Sequence, residues 1–343
     1  MRRRAIAYAS LSAALFGAST PLAKLLVGTI PPLALAGLLY LGSGIGLSVW
    51  LAVRPSKLEL NMAWRDVPWL AGAIAAGGVL GPALLMYGLA RTDAAAASLL
   101  LNLEAVFTAT MAWIVFRENV DRHIFVGMMC IVAGGVLLSW ERIPQAGDLA
   151  GPLLIAGACL AWAVDNNLTR RVSGGDAVVI AGLKGLVAGA ANLALALSLG
   201  AYMPAPGAIL LAGILGLVGY GISLVLFILA LRDLGTARTG AYFSVAPFYG
   251  AALALLLGEP AGPVFWAAAA LMGIGVWLHL TERHEHDHVH EPITHAHEHT
   301  HDAHHQHEHP GGDAHEPHSH THQHRAIRHR HPHYPDLHHR HEH

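Results

Sequence analysis

Charged residues are scarce in this 343-residue sequence. Asp, Glu, Lys and Arg make up 13% of it, whereas 54% of its residues are hydrophobic. Soluble domains average about 25% charged residues and need them to stay dispersed. The composition therefore argues against a soluble domain and favours a membrane protein.

Cysteine is also scarce. The two cysteines, Cys130 and Cys159, both fall inside apolar stretches, where a free thiol behaves as a small hydrophobic residue. This usage indicates no disulfide framework.

Several chemical signatures are missing from the sequence. It has no Gly-x-x-x-x-Gly-Lys-Ser/Thr run, which argues against ATP-driven pumping within this chain. The apolar stretches contain no convergent nucleophile–base pair or metal-ligand set, so we do not expect an enzyme or a required cofactor. A nucleic-acid partner is not expected either.

Long apolar stretches separated by short polar segments fill residues 5–280. A helix needs about 20 mostly apolar residues to cross the hydrocarbon layer, and helices satisfy their backbone groups internally. The sequence therefore predicts an all-α, polytopic membrane protein with about ten transmembrane helices. The predicted spans are 5–27, 31–53, 67–90, 94–116, 123–140, 148–170, 176–199, 207–231, 236–258 and 262–280.

Basic residues gather on one side of these spans. That side carries Arg2, Arg3, Arg4, Arg54, Lys57, Arg65, Arg117, Arg122, Arg170, Arg171, Arg232, Arg238 and Arg283. The other side has only Arg91, Arg142 and Lys24, which lies late in the first span. Because basic loops stay inside, we expect both termini in the cytoplasm and a multi-pass protein of the cell (inner) membrane.

Two segments of the chain follow the same plan. Residues 99–107 (LLLNLEAVF) lead into an apolar helix that ends at Glu118, and residues 240–248 (GAYFSVAPF) lead into one that ends at Glu259. The halves correspond at 1–140 and 148–280. Five spans per half is an odd number, so the second half is predicted to enter from the opposite face. Inverted repeats of this kind are common in secondary transporters, which bind substrate between the halves; the alternative is a duplication that serves only bundle stability.

Ala94–Glu118 resembles the fourth-span signature of EamA domains, which belong to the drug/metabolite transporter superfamily. Residues 241–259 are similar, and the likeness covers all of 5–280. The resemblance implies ten helices in two EamA repeats and, for most members, export of metabolites, amino acids or drugs. The first copy departs from the pattern, because Ala105 stands where the family has proline and Arg117 where it has glycine.

Pairs of glycines one helical turn apart predict close helix contacts in lipid. They are Gly42 and Gly46, Gly77 and Gly81, and Gly185 and Gly189.

Polar and aromatic residues inside the spans are candidates for a substrate or proton pathway. An ionisable group at the centre of a span costs about 2.5–3.5 kcal/mol on insertion scales, so each calls for a reason. The candidates are Asn102, Glu104, Trp162, Asp165, Lys184, Tyr220 and Tyr242. Glu104 is either a proton or cation site in a central cavity or a structural partner of a neighbouring helix, and the aromatic residues are candidates either for the cavity or for packing.

Asp165 is expected near the cytoplasmic end of its span, either hydrated or paired with Arg170. Lys184 either extends to the cytoplasmic surface or pairs with Asp165. Lys24 is expected to extend to the outer surface, and the alternative is contact with an anionic substrate. Pro247 removes one helical hydrogen bond and is predicted to act as a hinge.

Histidine dominates residues 281–343. Of the 26 histidines in the chain, only His123 and His279 lie outside this tail. Imidazole suits zinc, nickel and cobalt, but the spacing is not that of a preformed structural zinc site. We predict a cytoplasmic tail that is disordered without metal and binds these metals through His284, His286, His288, His290, His295, His297, His299 and His301.

The leading hypothesis is a secondary active transporter that exports small organic metabolites or amino acids, with protons as candidate coupling ions. The alternative is a nickel, cobalt or zinc transporter, or a membrane-anchored metal sensor, that uses the tail. The lipid bilayer and a small-molecule substrate are the expected partners, and a homodimer stays open.

Overall fold

A computed structural model describes residues 2–53, 64–116, 122–140, 149–172, 176–281, 285–290, 294–299, 318–323 and 327–332. The described residues between 2 and 281 are helical almost throughout. The α-helices are α1 (Arg2–Leu26), α2 (Pro32–Val53), α3 (Val67–Ala73), α4 (Gly81–Leu89), α5 (Ala94–Leu100), α6 (Leu103–Phe116), α7 (Arg122–Trp140), α8 (Ala150–Val172), α9 (Ala177–Ser198), α10 (Pro206–Gly216), α11 (Ser223–Phe243), α12 (Ala246–Leu256) and α13 (Pro263–Thr281). A 3₁₀ turn (Trp64–Asp66) precedes α3, and π-helical segments at Ile74–Leu80 and Leu217–Ile222 join α3 to α4 and α10 to α11.

Within the described residues, seven helical runs are long and apolar enough to cross a membrane. They are Arg4–Leu26, Pro32–Val53, Trp64–Leu89, Ala94–Met111, Arg122–Trp140, Ala177–Ser198 and Pro206–Ala230. Ala246–Leu256 and Pro263–Leu278 are shorter apolar helices. Helix α8 lies where the sixth span is predicted but carries Asp165, Asn166 and Asn167. The all-α, polytopic fold predicted from the sequence is confirmed.

The predicted boundary between the eighth and ninth spans falls inside α11. The rings of Phe227 and Phe243 lie 4.9 Å apart between centroids. Sixteen residues of straight helix would separate them by about 24 Å. The chain therefore reverses between these two rings, and α11 contributes to both spans.

Helices of the first half pack mainly against helices of the second. Numbered by the predicted spans, the two largest contacts pair span two with seven (α2 with α9) and five with ten (α7 with α13), and span four packs on nine (α5 with α12). Span three packs on six (α4 with α8), and span one packs on eight (α1 with α11). If each span is replaced by its counterpart in the other half, five places away in the chain, the same set of contacts results. This symmetry is expected of a duplicated bundle.

The predicted glycine pairs lie at these contacts. A Cβ on Gly185 would lie 2.6 Å from the amide nitrogen of Gly44, so the backbones of α9 and α2 touch. Gly42 approaches Gly213 of α10 in the same way, and a Cβ on Gly81 would meet the Trp162 ring. Such close approach increases van der Waals contact between helices that gain no hydrophobic advantage from leaving lipid.

Four short strands lie within the histidine-rich tail. They are β1 (Glu285–His290), β2 (Thr294–His299), β3 (His318–Gln323) and β4 (Ile327–Pro332), and β1 pairs with β4 and β2 with β3, both antiparallel. An alternating His-x-His pattern matches the two-residue period of a strand. Two-stranded ladders are marginally stable in water, so the behaviour of the tail in solution stays a prediction.

We predict that Gly44→Ala destabilises the bundle by about 1–3 kcal/mol, as overpacking does. The new methyl group would lie 2.4 Å from the backbone nitrogen of Leu186, which cannot move without shifting α9. The matched control is Gly207→Ala in α10, where no atom lies within 4 Å of the new Cβ. Thermal unfolding in detergent measures both; a Gly44→Ala protein as stable as the control would contradict the contact.

Candidate functional site

Two helical spans in each half lose their regular hydrogen-bond ladder, at matching places in the two halves. The π segments Ile74–Leu80 and Leu217–Ile222 begin 143 residues apart. The turns at Leu101–Asn102 and Ser244–Val245, which interrupt the fourth and ninth spans, are also 143 residues apart. Each half of the bundle therefore has the same two discontinuities, and π segments often mark functional sites.

Side chains from other helices bind the carbonyl groups of the first π segment. The carbonyl oxygen of Gly77 accepts hydrogen bonds from the Tyr40 hydroxyl and from Nε1 of Trp162, each 2.9 Å long. Within lipid a freed carbonyl needs such a partner. Trp162, predicted as part of a pathway, thus binds the backbone of the first π segment.

Asn192 of α9 binds the next two carbonyl groups of the same segment. Its Nδ2 lies 3.3 Å from the oxygen of Gly78 and 3.2 Å from that of Val79. Three helices, α2, α8 and α9, therefore hold one π segment in place.

A buried ion pair lies beside this segment. Nζ of Lys184 donates to both carboxylate oxygens of Asp165, at 2.6 and 2.8 Å, and to the hydroxyl of Thr169 at 3.1 Å. The Thr169 hydroxyl in turn donates to Asp165 at 2.7 Å. A Cβ on Gly77 would collide with the Asp165 carboxylate, so this glycine leaves the room that the pair occupies.

The interfacial interpretation of Asp165 is therefore wrong. Its exposed fraction is 7%, and that of Lys184 is 3%. The third span covers this part of α8 and buries Asp165. The position of Asp165 along α8 does not by itself reveal this burial. Of the alternatives for Lys184, the structure has the pair with Asp165; the other predicted partner, Arg170, has a side chain outside the described residues.

Glu104 contacts Asn166, the residue of α8 that follows Asp165. Its Oε1 accepts a hydrogen bond of 2.7 Å from Nδ2 of Asn166. Glu104 lies in the first turn of α6, just after the turn at Leu101–Asn102. The structure therefore places this carboxyl group, which is partly exposed, at the interruption of the fourth span.

Asn102 has a local role at the same turn. Its Nδ2 donates to the carbonyl of Leu99 at 2.9 Å, and Sγ of Cys159 lies 3.7 Å from the carbonyl of Leu100. Both side chains bind backbone groups that α5 leaves free at its C-terminus. Asn102 is 2% exposed.

Aromatic side chains fill the centre between the two halves. Phe16 contacts Trp162, Tyr220 and Phe243, with ring centroids 5.8, 5.8 and 5.3 Å away, and Tyr40 lies 5.4 Å from Tyr220. We call these five residues the central aromatic cluster. They come from spans one, two, six, eight and nine, so the cluster joins both halves.

Tyr242, a predicted pathway residue, packs elsewhere. It lies against Ala5, Ala9, Ala230 and Leu234. Its neighbour Phe243 takes the central position, because successive residues of a helix point about 100° apart.

Pro247 does not interrupt a helix. It lies in the first turn of α12, directly after the turn at Ser244–Val245, where a missing N–H costs no helical hydrogen bond. In the equivalent turn of the fourth span, the residue two positions after the turn is Glu104 instead of proline. The predicted bend therefore exists two residues before Pro247, and the hinge role of this proline stays a prediction.

Two side chains of opposite charge, Lys24 and Glu259, each bind backbone groups at the turn between the third and fourth spans, which we call the corner. Nζ of Lys24 donates to the carbonyl groups of Leu89 and of Thr92, the latter at 3.0 Å. The carboxylate of Glu259 accepts from the amides of Ala94 and Ala95, at 2.9 and 2.7 Å. A cation at a helix C-terminus and an anion at an N-terminus both match the helix dipole.

Lys24 thus binds backbone carbonyl groups at the turn after the third span, and its extension to the outer surface stays a prediction. Glu259 belongs to the second half and the amides of Ala94 and Ala95 to the first, so the hydrogen bonds of Glu259 join the halves. We call this contact the corner clamp, and the part of the bundle that carries it the Glu259 end. The counterpart of Glu259 in the first half, Glu118, lies outside the described residues.

Sequence reasoning missed several residues of the site: Phe16, Tyr40, Thr169, Asn192 and the clamping role of Glu259. Hydroxyl and amide groups inside apolar spans were the available signal, since a polar group within lipid needs a partner.

Metal binding by the tail is not tested by the structure. His284 and His301 lie outside the described residues, and the other predicted ligands lie in β1 and β2, where only the backbone is described. Among the described side chains, no group of three or more His, Cys, Asp or Glu residues is placed to hold a metal ion.

Comparison with known proteins agrees with this architecture. A solved crystal structure with 20% sequence identity superposes with a TM-score of 0.60, covering 80% of this chain and 96% of its own. A protein named as an uncharacterized transporter, from Methanothermobacter thermautotrophicus, is 28% identical over 296 residues, covering 80% of this chain and 86% of that protein.

A family model matches the chain twice. The model of the EamA-like transporter family covers residues 3–140 and again residues 149–281, which together include all the helices that build the site. Two copies of the model, in a polytopic helical bundle, place the chain among membrane transporters of the drug/metabolite transporter superfamily. The chain belongs to the EamA-like transporter family.

Proposed function

We propose that the chain is a secondary active transporter that exports small organic metabolites, amino acids among them, by alternating access between two inverted repeats. The observation that carries the proposal is the pair of discontinuities that recurs 143 residues later in the second half. Interrupted helices at the interface of inverted repeats form the substrate sites of many secondary transporters.

The contents of this interface fit an organic substrate. The central aromatic cluster offers ring faces, while Glu104 and the Asp165–Lys184 pair offer charges within the same layer of the bundle. Apolar surfaces with a few placed polar groups are typical of small-molecule sites.

The corner clamp supports a closed state at the Glu259 end. Glu259 of the second half holds the amides of Ala94 and Ala95 in the first half. The distribution of basic residues puts the Glu259 end at the outer face. In this proposal the clamp opens whenever the pathway faces outward.

The histidine-rich tail is the one feature that favours metal transport or metal sensing. The described part of the bundle offers no metal-ligand group, so we place any metal binding in the tail and outside the transport step.

Transport by purified protein in proteoliposomes tests the proposal. We expect flux of small organic solutes, amino acids first, by the full chain and equally by a chain lacking residues 282–343, because the matched helices end at residue 281. Nickel, cobalt and zinc fluxes are measured in the same vesicles.

Two results would contradict this assignment. Metal flux that disappears with the tail would favour the metal transporter, and metal binding without any flux would favour a sensor. Organic flux in only one vesicle orientation gives the direction of transport.

Glu104→Gln tests whether this carboxyl group carries the coupling proton. The amide can still accept the hydrogen bond from Asn166, so the packing is kept while the titratable group is lost. We expect uptake driven by a pH gradient to be abolished and substrate exchange without a gradient to persist. Unchanged pH-driven uptake removes Glu104 from the coupling step.

A further inference from the structure

The Lys184 ammonium group sits in a complete set of acceptors. Oδ1 and Oδ2 of Asp165 and Oγ1 of Thr169 lie 2.6, 2.8 and 3.1 Å from its nitrogen. An ammonium group has three N–H donors, so three oxygens are the number that it needs. The Thr169 hydroxyl is oriented for this role, since its own proton goes to Asp165.

The same three oxygens suit an ammonium group better than a metal ion. Hard cations such as Mg²⁺ and Ca²⁺ take six or more oxygen ligands, and this set provides three from two residues. The described residues therefore form a binding site for –NH₃⁺, with the chain's own lysine as the occupant.

Keeping this pair inside the bundle is costly. Two charges that leave water lose several kcal/mol of hydration each, and their attraction only partly offsets the loss. An apolar pair would hold α8 and α9 together with less cost. The charges are therefore better explained by a ligand that needs them than by stability.

The site adjoins the parts of the bundle that bind organic groups and bend. Trp162 of the central aromatic cluster lies three residues before Asp165, on the same face of α8. The carboxylate of Asp165 packs against Gly77 of the π segment, whose carbonyl Trp162 and Tyr40 bind. The ammonium site therefore lies one helical turn from a ring of the central aromatic cluster.

We propose that Asp165 and Thr169 bind the ammonium group of a small primary amine during transport, and that Lys184 is the resident occupant that the amine displaces. This inference rests on the proposed function and names the substrate class of its site. When the amine leaves, the Lys184 ammonium returns to the three oxygens. Lys184 thus neutralises Asp165 whenever the site holds no substrate.

Lys184→Ala tests the site without a transport assay. The variant removes the resident ammonium and opens its place, so ethylammonium should bind there. We expect its unfolding temperature in detergent to rise by about 3–5 °C at ethylammonium ten times its dissociation constant. Tetramethylammonium, which has no N–H donor, should give no rise. The matched control is Asp165→Asn with Lys184→Ala, which removes the anion and should respond to neither cation.

Every result decides the question. Recovery of folded Lys184→Ala protein only when ethylammonium is present supports the site, whereas recovery with neither cation contradicts it. A folded variant that ethylammonium does not stabilise, or stabilises as much as the control, also contradicts it.

Flux measurements separate this inference from the proposed function. The full chain should transport a primary amine and should not transport its N-acetyl derivative. Transport of both overturns the amine site and leaves the transporter intact. Stabilisation by ethylammonium without flux of any organic solute overturns the proposed function and, with it, the assignment of this site to transport.

Discussion

A backbone group that leaves its helix inside lipid must find a partner on another helix, and this requirement organises the centre of the molecule. The carbonyl groups of the first π segment are bound by Tyr40, Trp162 and Asn192. The corner at residues 90–95 is bound by Lys24 and Glu259. Each discontinuity of the first half has at least one partner in the second half. The interruptions of the first-half helices are thus also held by side chains of the other half.

This arrangement links local structure to motion. A π segment or a turn lacks part of the regular ladder, so bending there breaks fewer helical bonds than bending elsewhere. The partners are single side chains, and each contributes a modest net free energy when its bond can be replaced. In the proposed transport cycle, a few such bonds are exchanged when one half moves against the other.

The spans were predictable from the sequence because hydrophobic length is a local property. The reversal within α11 agrees with the predicted boundary between the eighth and ninth spans. The symmetric pairing of helices agrees with the repeat seen in LLLNLEAVF and GAYFSVAPF. Contacts that form the site were not predictable in the same way. Glu259 and Ala94 are 165 residues apart, and Asn192 and Gly78 are 114 apart. The burial of Asp165 was missed because it depends on which neighbouring helix covers it. Tyr242 lies outside the central aromatic cluster because a shift of one residue turns a helical side chain away, and its part in a pathway stays a prediction.

Distances between spin labels across the two ends test the central claim most directly. Labels at Ala90 and Leu256 report on the Glu259 end, and labels at Val53 and Thr281 on the opposite end; all four residues are exposed. With Cys130 and Cys159 replaced by serine, we expect Glu259→Gln to lengthen the first distance and shorten the second in lipid, because weakening the corner clamp favours the state that is open at its end. If both distances lengthen, or if neither changes on substitution, the result would contradict alternating access between the two halves.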